Sequence, residues 1–491
     1  MIWTSAQEPI VAEDTTLAAL IEQAATAHPG RPALVDAATG AGVSYAELSA
    51  QVTRASAGLR SAGLGPGDCL ALWAPNSPTA AVQLLAALRL GASVTGLDPA
   101  ATDHEVGRQV GDAGASVVVT VAELAQRACA FGCQVVALGS TPSTPSPTVA
   151  PDILHREAGE PAANIDAGDP DAIALLPYSS GTTGLPKRVM LTNRQVVTVS
   201  RQIGRAVGVH TGDVTLAVAP WFHIMGVTAE LLVPLARGAT VVTMPRFEPS
   251  TFLDHLAGYE ITYVVGPPPV AAVHRTLADR AVREPVGQGW GLTETSGALC
   301  VPRRPQGTAP GTVGTLLPDT ELRVVDVATR RPLGADAAGE LEVRGPQTML
   351  GYLHEPDATA AMIDDDGWLR TGDLGYVQRG GDVVVVDRLK ELIKVNAHQV
   401  APAEVEAALV AHPSVTDAAV VGLPHDRTGQ TPVAHVVTDG RVAPDELAAW
   451  IATRLAPYKR PSAIHVVDEL PRTRSGKLLR RQLRADAMPA T

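Results

Sequence analysis

The strongest constraint on the fold is a repeated alternation of strand-like and helix-like segments in the first part of the chain. A helical pattern over Thr16–His28 is followed by the short apolar segment Pro32–Asp36. Ser44–Ala62 begins with a residue suited to cap a helix and stops before a glycine. Strand patterns recur at Asp68–Ala74 and Ser116–Val121. Such alternation is typical of an α/β fold with a largely parallel sheet.

Beyond residue 310 the pattern changes to short strands separated by glycine and proline, at Val313–Leu317, Glu321–Asp326 and Glu340–Arg344. The remainder mixes strands and helices again. We therefore expect an α/β protein with a large N-terminal domain, residues 1–387, built from several subdomains with mixed sheets and a β-rich part. A small α+β C-terminal domain is expected at residues 388–491.

Bulk composition limits the classes of protein considered. The chain has 491 residues, 45% of them apolar and 18% charged, which is typical of a globular protein with two or more domains. A net charge of -12 argues against non-specific nucleic-acid binding, which needs a basic surface. The apolar run Thr79–Leu88 is too short to cross a bilayer and predicts a packed helix. Sparse cysteines and the absence of a signal-peptide pattern predict reduced thiols in a cytoplasmic protein.

The ten residues from Tyr178 to Lys187, Tyr-Ser-Ser-Gly-Thr-Thr-Gly-Leu-Pro-Lys, have the composition of a phosphate-binding loop. Two glycines allow the backbone to turn and bring its N–H groups close to an anion. The hydroxyls add donors, and Lys187 adds a mobile positive charge. The spacing differs from that of the Gly-x4-Gly-Lys-[Ser/Thr] loop, and a hydroxyl-rich surface loop is the alternative. The candidate phosphate contacts are Ser179, Ser180, Gly181, Thr182, Thr183, Gly184 and Lys187.

This string resembles the signature of the superfamily of acyl-CoA synthetases, luciferases and peptide-synthetase adenylation domains. Further segments resemble that superfamily in the same order along nearly all of the chain. They are Pro220–Gly226, Gly287–Thr295, Gly339–Gln347, Gly367–Gly375, Asp387–Glu391 and Pro471–Lys477. Leu389–Lys394 and Gln399–Ala403 are most similar to the 4-coumarate–CoA ligase branch.

The resemblance implies an ATP-dependent ligase. It implies that an aryl or acyl carboxylic acid is converted to its acyl-AMP with release of pyrophosphate, and that the acyl group then passes to a thiol, with coenzyme A expected. ATP, Mg²⁺ and coenzyme A are the implied cofactors. No protein nucleophile is needed, so catalysis rests on positioning and charge neutralisation.

The resemblance also assigns roles within the segment Gly289–Glu294. Glu294 is the implied Mg²⁺ ligand, since a hard cation takes oxygen ligands, and the Thr293 hydroxyl contacts the α-phosphate. A helix-capping Thr-Glu pair is the alternative. Trp290, between Gly289 and Gly291, stands where the superfamily has a tyrosine that stacks on adenine. A core tryptophan is the alternative.

Further implied contacts lie on either side of this segment. Asp373 and Arg388 resemble the ribose-binding residues, with a turn aspartate and a hinge salt bridge as alternatives. Lys477 resembles the lysine that reaches the carboxylate and the α-phosphate and stabilises the transition-state charge. A basic surface tail is the alternative. His223 either lines the carboxylate pocket or is an ordinary packed histidine.

The C-terminal domain is expected to be mobile. Members of the superfamily rotate this domain about the residue that matches Lys390, so that different faces serve the two half-reactions. The resemblance implies that Lys394 and Gln399 act in the thioester-forming or AMP-bound state. Ordinary surface polar residues are the alternative for both.

The main departure from the superfamily pattern follows Pro269. Only residues 270–288 precede Gly289, where the superfamily has a helix, a strand, a turn and a second helix. Either the protein itself lacks this segment, or the protein contains the segment and this sequence omits it. Loss of a central strand would expose edges of the core, which favours the second interpretation. A non-catalytic nucleotide-binding paralogue is one hypothesis that this departure motivates.

Smaller departures concern the substrate and the acceptor. Arg188 replaces a glycine and adds charge after Lys187, and Asn193 replaces a common Thr-His pair. Asn396 and Ala397 replace Lys-Gly, where pantetheine enters in the superfamily. A carrier-protein thiol or an amine is therefore the alternative acceptor. Met225 stands where hydroxycinnamate ligases have a tyrosine, so the identity of the acid stays open.

Overall fold

The computed structural model describes residues 1–10, 14–138, 149–150, 168–179, 186–265, 288–302, 309, 311–395, 398–425, 427–472 and 478–487, with only the backbone described at 149, 150, 249, 398, 399 and 486. Two compact units emerge from the packing. The larger comprises Thr4–Glu321 and Arg344–Leu369, and the smaller comprises Met1–Trp3, Leu322–Val343 and Arg370–Thr491. The functional boundary expected between residues 387 and 388 remains a prediction.

Helices alternate with strands through much of the chain. The helices are α1 (Leu17–Ala27), α2 (Tyr45–Ser61), α3 (Pro78–Arg89), α4 (Asp103–Ala113), α5 (Ala122–Ala128), α6 (Asn193–Val207), α7 (Val233–Ala236), α8 (Pro249–Gly258), α9 (Pro356–Met362), α10 (Pro402–Val410), α11 (Pro444–Ala452) and α12 (Arg480–Asp486).

The strands of the first half are β1 (Ile2–Thr4), β2 (Pro32–Asp36), β3 (Gly42–Ser44), β4 (Cys69–Trp73), β5 (Ser93–Gly96), β6 (Ala115–Val121), β7 (Gln134–Leu138), β8 (Val149–Ala150), β9 (Ile173–Leu175), β10 (Tyr178–Ser179), β11 (Lys187–Thr192), β12 (Val214–Ala217) and β13 (Thr240–Thr243). Those of the second half are β14 (Cys300–Val301), β15 (Thr315–Leu316), β16 (Glu321–Val325), β17 (Gly339–Arg344), β18 (Gly351–Tyr352), β19 (Leu369–Val377), β20 (Val383–Arg388), β21 (Ile393–Val395), β22 (His398–Val400), β23 (Val415–His425), β24 (Gly429–Thr438) and β25 (Ala463–Val466).

Two large sheets form the framework of the larger unit. The first has the order β10-β11-β9-β5-β4-β6-β7-β8, and it is parallel from β9 to β8. β11 runs antiparallel to β9 and β10, and β18 pairs with β11 outside this order. The second sheet has the order β12-β13-β2-β3 and is parallel except at β3. The predicted mixed α/β architecture with a largely parallel sheet is confirmed.

Side-chain caps explain where several helices of the larger unit begin, α1, α2 and α4 among them. The Thr16 hydroxyl accepts a hydrogen bond from the first turn of α1. Ser44 with Glu47 at the start of α2, and Thr102 with Glu105 at the start of α4, form reciprocal capping boxes. Each cap satisfies N–H groups that have no partner inside the helix, so the beginnings of α1 and α2 follow from local sequence.

Helix α3 is the packed helix that the apolar run predicted. Every residue from Ala80 to Leu88 is buried. The Ser56 hydroxyl of α2 donates to Ala86 O of α3 at 3.2 Å, which joins the two helices within the core. No helix in the described ranges has the length and apolar character needed to span a bilayer.

The smaller unit contains a β-rich part and an α+β part; the sequence predicts both kinds of structure, but it places the β-rich part within the N-terminal domain, residues 1–387. The β-rich part is the sheet β1-β16-β17-β19-β20. The α+β part is the sheet β22-β21-β24-β23, with β25 parallel to β24. Val405 and Leu409 of α10 pack with Val420 and Val436 in one apolar cluster that holds this sheet to its helices.

Candidate active site

The two ends of the glycine- and hydroxyl-rich loop are joined by an antiparallel hairpin. Ser179, at the end of β10, pairs with Lys187, at the start of β11. The Ser179 hydroxyl is buried beside the hydroxyl of Tyr352. Among the described residues, no group forms a hydrogen bond of normal geometry with the Ser179 hydroxyl. A buried donor of this kind is suited to a polar ligand. Outside the described residues lie Ser180, Gly181, Thr182, Thr183 and Gly184.

Strand β18 places Tyr352 and Glu355 beside Lys187. Val189 pairs with Tyr352 across β11 and β18. Lys187 Nζ lies 5.0 Å from the centroid of the Tyr352 ring and 3.9 Å from Glu355 Oε2. A ring face and a long, partly exposed ion pair each hold an ammonium weakly. Neither contact fixes the lysine strongly, and its contact with phosphate remains a prediction.

Thr293 and Glu294 lie in a short 3-10 turn, Thr293–Thr295, that belongs to the same cluster. Glu294 is only 6% exposed, and its Oε1 accepts a hydrogen bond from the Tyr352 hydroxyl at 2.7 Å. Met349 N donates to Glu294 O at 2.8 Å. Burial, reinforced by the adjacent Glu294 carboxylate, raises the pKa of Tyr352 well above its ordinary value. The phenol therefore keeps its proton and remains the donor.

The Gly289-Trp290-Gly291 segment is held by backbone contacts. Trp290 N donates to Cys300 O at 2.9 Å. A Cβ on Gly291 would lie 2.4 Å from Gly297 O, so only glycine fits there. A Cβ on Gly289 would lie 3.1 Å from Cys300 O. The Trp290 side chain is buried, as the core interpretation requires, and its contact with adenine remains a prediction.

His223 lies in the loop that leads into a π-helix over Gly226–Leu232. His223 N donates to Pro220 O at 3.0 Å, and its ring centroid is 4.5 Å from that of Phe222. A Cβ on Gly226 would lie 2.4 Å from Pro220 O, so the loop turns tightly against the helix. His223 is half-buried. Its pocket role remains a prediction.

An apolar pocket adjoins this loop. Gly96 permits the approach, since a Cβ there would lie 2.5 Å from Phe222 Cα. Strand β5 therefore forms one wall of the pocket. Its lining includes Leu72, Leu84, Val94, Leu175, Trp221 and Ile224.

Two positions that depart from the superfamily pattern have structural roles in the larger unit. Asn193 is buried, and its Oδ1 accepts a hydrogen bond from Leu17 N at 3.2 Å, which links the start of α1 to α6. The Arg188 guanidinium donates to the main-chain oxygen of Asp112 at the end of α4. A cation at the C-terminal end of a helix is favourable.

In the smaller unit Asp373 and Arg388 form an ion pair. They face each other across β19 and β20, with Arg388 Nε 2.5 Å from Asp373 Oδ1. Asp373 is buried, and its N–H donates to the Thr371 hydroxyl at 3.0 Å. The structure thus brings together the two residues predicted to bind ribose.

The remaining predicted residues of the smaller unit are only partly described. Lys394 is exposed on β21 and pairs in register with Gln399 on β22. Lys394 N donates to Gln430 Oε1 at 2.8 Å. The Gln399 side chain and all of Lys477 lie outside the described residues, so their roles remain predictions.

A charged cluster around Arg480 was not anticipated from the sequence. The Arg480 guanidinium pairs with Glu391, in the 3-10 turn Leu389–Glu391 that contains the predicted hinge residue Lys390, and with Glu406 of α10. It also donates to Val420 O at 2.7 Å. Nearby, Asp387 Oδ2 accepts from the N–H at the start of α10, and burial raises the pKa of Asp387 above its usual range. Spacing gives no signal for this cluster because its members come from four separate elements.

Comparison with known proteins establishes the family. The description "AMP-binding enzyme" matches residues 21–280 and 268–353, and "AMP-binding enzyme C-terminal domain" matches residues 404–477. The chain belongs to the AMP-binding enzyme family. Its match to the first domain comes in two pieces that overlap at 268–280, next to the segment where the sequence is shorter than the superfamily pattern.

Relatives of this AMP-binding enzyme include plant ligases. 4-Coumarate–CoA ligase 3 of Oryza sativa subsp. japonica is 38% identical, covering 93% of this chain and 89% of that protein. Among solved structures, ATP-bound MatB from Rhodopseudomonas palustris is 27% identical, with a TM-score of 0.85 over 96% of this chain and 98% of that one. The o-succinylbenzoate CoA synthetase of Bacillus subtilis with OSB-AMP is 29% identical, with a TM-score of 0.81 over 94% and 97%.

This AMP-binding enzyme is therefore an adenylate-forming acid–thiol ligase. It activates a carboxylic acid with ATP and transfers the acyl group to coenzyme A, and it uses Mg²⁺. The function, the cofactors and the substrates implied by the resemblance are confirmed at this level. The relatives favour coenzyme A over a carrier protein or an amine, and an active enzyme over a non-catalytic paralogue.

The residues around Tyr352 fit a Mg²⁺ ion. Mg²⁺ is usually bound through one or two carboxylates together with substrate phosphates and waters. The Glu294 carboxylate and the Ser179 and Thr293 hydroxyls supply only oxygen donors. Within the described ranges no group of three or more His, Cys, Asp or Glu side chains is arranged to hold a metal. The protein thus offers a partial site that fits a metal carried by a nucleotide.

Proposed function

We propose that this ligase activates an aromatic propenoic acid of the 4-coumarate type. Support comes from eight relatives that are 4-coumarate–CoA ligases or similar to them, 34–38% identical over 92–98% of this chain. Apolar side chains line the space beside Trp221 and Phe222, and such a lining is typical of a site for a hydrocarbon group. We also propose that the enzyme is cytoplasmic, which fractionation of cells expressing it would test.

The observation that carries the active-site assignment is the cluster of Lys187, Tyr352 and Glu294 at the base of the loop hairpin. A cation, a buried carboxylate and a buried hydroxyl meet where a polyphosphate loop is expected. We assign Lys187 and the loop to the phosphates of ATP, and Glu294 to the metal. For the nucleotide, we assign Thr293 to the α-phosphate, the segment of Gly289, Trp290 and Gly291 to adenine, and Asp373 with Arg388 to ribose. For the reaction, we assign His223 to the substrate carboxylate, and Lys394, Gln399 and Lys477 to the reacting groups.

In the first half-reaction an oxygen of the substrate carboxylate attacks the α-phosphorus of ATP. The bond from that phosphorus to the bridging oxygen breaks, and its electron pair leaves with pyrophosphate. A bound Mg²⁺ would supply neutralising charge at the phosphates. Lys187 neutralises charge on the phosphates, and Lys477 stabilises the charge that develops at the α-phosphorus.

In the second half-reaction the sulfur of coenzyme A attacks the carbonyl carbon of the acyl-AMP. AMP leaves with the electrons of the broken C–O bond, and the thiol proton passes to solvent. We propose that residues 388–491 turn about Lys390 between these steps, so that Lys477 serves the first and Lys394 the second.

Met225 favours a second candidate substrate. A thioether replaces the tyrosine that hydroxycinnamate ligases have at this position, so a partner for the 4-hydroxyl of a coumarate is removed. An unsubstituted cinnamate or a medium-chain fatty acid needs no such partner. A hydrophobic pocket alone discriminates poorly between acids of similar size.

The test is ATP–pyrophosphate exchange with 4-coumarate, cinnamate, benzoate and octanoate, followed by addition of coenzyme A. We expect the highest kcat/KM with 4-coumarate or cinnamate, and formation of the matching acyl-CoA. Exchange with octanoate alone would refute the aromatic assignment. The ratio of coumarate to cinnamate decides between the two aromatic candidates.

Lys187→Ala tests the phosphate assignment. We expect kcat/KM for ATP to fall about 100-fold or more, since a charged contact to a transferring phosphate contributes several kcal/mol. Lys459→Ala is the matched control because Lys459 Nζ also pairs with a glutamate, 2.5 Å from Glu404 Oε1. An unchanged kcat/KM for ATP in folded Lys187→Ala would refute the assignment.

A further inference from the structure

Tyr352 links the two residues assigned to the phosphates and the metal. Its hydroxyl donates to Glu294 Oε1 at 2.7 Å, and its ring centroid lies 5.0 Å from Lys187 Nζ. We infer that Tyr352 is a positioning residue for the metal-binding carboxylate, and that it also sets the direction of the phosphate-binding lysine. This inference rests on the proposed roles of Glu294 and Lys187.

The backbone that carries Tyr352 is fixed from two sides. Gly351 pairs with Met190 on β11, and Tyr352 N donates to the Thr359 hydroxyl at 2.9 Å. A Cβ on Gly351 would lie 2.8 Å from the Thr359 methyl group, so the chain passes close to α9. The ring therefore has a defined position before any ligand arrives, which is the property that a positioning residue needs.

The same short segment holds Glu294 at two points. Met349 N donates to the Glu294 backbone oxygen at 2.8 Å, while the Tyr352 hydroxyl holds one side-chain oxygen. A neutral phenol that donates to a carboxylate forms a charge-assisted bond without adding a charge. The bond restricts rotation of the carboxylate and directs its other oxygen. Groups that orient a metal ligand in this way strengthen metal binding.

The ring of Tyr352 acts on Lys187 by a different interaction. The ring face carries partial negative charge and attracts an ammonium. Glu355 attracts the same ammonium from 3.9 Å. Substitution of the hydroxyl alone therefore affects Glu294, whereas removal of the ring affects Lys187 as well. The two contributions are separable by the choice of variant.

Tyr352→Phe tests the effect on the carboxylate. Binding of Mn²⁺ in the presence of a non-hydrolysable ATP analogue is measured by electron paramagnetic resonance, which does not depend on turnover. We expect the dissociation constant for Mn²⁺ to rise about 10-fold to 100-fold, the range typical of lost outer-shell partners. Binding of the analogue without divalent metal should change less than about threefold, because the ring remains beside Lys187.

Tyr259→Phe is the matched control, since its hydroxyl donates to Ala37 O at 3.1 Å and does not touch the cluster. Tyr352→Leu should weaken metal-free binding of the analogue as well. Thermal unfolding of each variant separates a loss of fold from a loss of binding. Unchanged Mn²⁺ affinity in Tyr352→Phe would overturn the inference, as would an equal loss in Tyr259→Phe.

Glu294→Gln separates this inference from the function on which it rests. Loss of Mn²⁺ binding in Glu294→Gln, with normal binding in Tyr352→Phe, would refute the positioning role and keep the metal assignment. Normal Mn²⁺ binding in both variants would refute the metal assignment itself. Weakened binding in both variants is the expected result.

Discussion

Arg388 Nε lies 2.5 Å from Asp373 Oδ1, and the two residues face each other across the antiparallel strands β19 and β20. Asp373 is buried whereas the Arg388 side chain is 39% exposed. The guanidinium therefore holds the carboxylate in a fixed orientation and keeps its own outer edge accessible. A pair arranged in this way is suited to receive two neighbouring hydroxyls.

We expect Asp373→Asn to raise the KM for ATP about tenfold or more. The amide keeps the shape of the carboxylate but forms hydrogen bonds without the assistance of charge, which are roughly half as strong. The exchange assay gives the KM. Asp336→Asn is the control, since Asp336 also pairs with an arginine, Arg379, in the same unit. An unchanged KM for ATP in folded Asp373→Asn would contradict the ribose assignment.

Glu355→Gln should lower the KM for ATP severalfold. Its carboxylate lies 3.9 Å from Lys187 Nζ and attracts the same ammonium that the phosphates require. Because the pair is partly exposed, we expect the free energy of unfolding to change by less than about 1 kcal/mol. The exchange assay gives the KM for ATP, and denaturant unfolding gives the free energy of unfolding. The control is Glu404→Gln, which breaks the pair with Lys459 and should leave the KM for ATP unchanged. A higher KM for ATP in Glu355→Gln would refute the idea that Glu355 competes with the phosphates for Lys187.

The extent to which sequence predicted this molecule depends on the range of the interactions. Thr16 and Ser44 act on N–H groups within their own first turn, so the beginnings of α1 and α2 followed from local chemistry. The buried run of α3 followed from its largely apolar sequence, in which Gln83 is the one polar residue between Ala80 and Leu88. Strand ends were less predictable: of the expected strand Val313–Leu317, only Thr315–Leu316 forms β15, because only these two residues pair with β14.

The residues of the site also fall into two groups, those recognisable from the local sequence and those that depend on distant contacts. Lys187 and Glu294 stood out because each lies in a motif with its own chemistry. Tyr352 gave no such signal, since it lies 58 residues from Glu294 in sequence and reaches it only through the pairing of β18 with β11. Arg480 likewise depends on contacts with distant elements. Local propensity and spacing carry no information about such register-dependent contacts.

The buried Glu230 side chain should make the free energy of unfolding depend on pH. It is fully buried in the π-helix; Ala219 N donates to its Oε2 at 2.8 Å, and burial raises its pKa well above 4.5. The folded protein therefore retains a proton that the unfolded chain loses above about pH 4.5. The contribution of this group to stability is fully present below that pH. As the pH rises towards the pKa of Glu230 in the folded protein, this contribution is lost. The free energy of unfolding then falls by at most about 1.4 kcal/mol per pH unit.

Glu230→Gln should remove this dependence. The amide oxygen can still accept from Ala219 N, and no charge has to be buried at high pH. We expect the variant to gain stability over the parent at pH 8 and to lose that advantage towards pH 5. Urea unfolding at four pH values measures the difference, with the exposed Glu123→Gln as the control. Parallel pH profiles for Glu230→Gln and the parent would contradict the raised pKa.

Arg480 should be a main determinant of stability in the α+β part of the smaller unit. Its guanidinium pairs with Glu391 and Glu406 and donates to Val420 O, and all three charged side chains are less than a quarter exposed. Arg480→Met would leave two largely buried carboxylates without their cation. Breaking a buried pair in this way costs about 3–5 kcal/mol, far more than the pair itself contributes relative to apolar residues.

Denaturant unfolding of Arg480→Met measures that cost. Arg481→Met, the exposed neighbour on α12, should change the free energy of unfolding by less than about 0.5 kcal/mol. Adding Glu406→Gln to Arg480→Met should restore part of the loss, because one uncompensated charge is removed while an acceptor for Val420 N remains. If the double variant were instead less stable than Arg480→Met, the loss would come from packing of the arginine stem, and the electrostatic account of this cluster would be wrong.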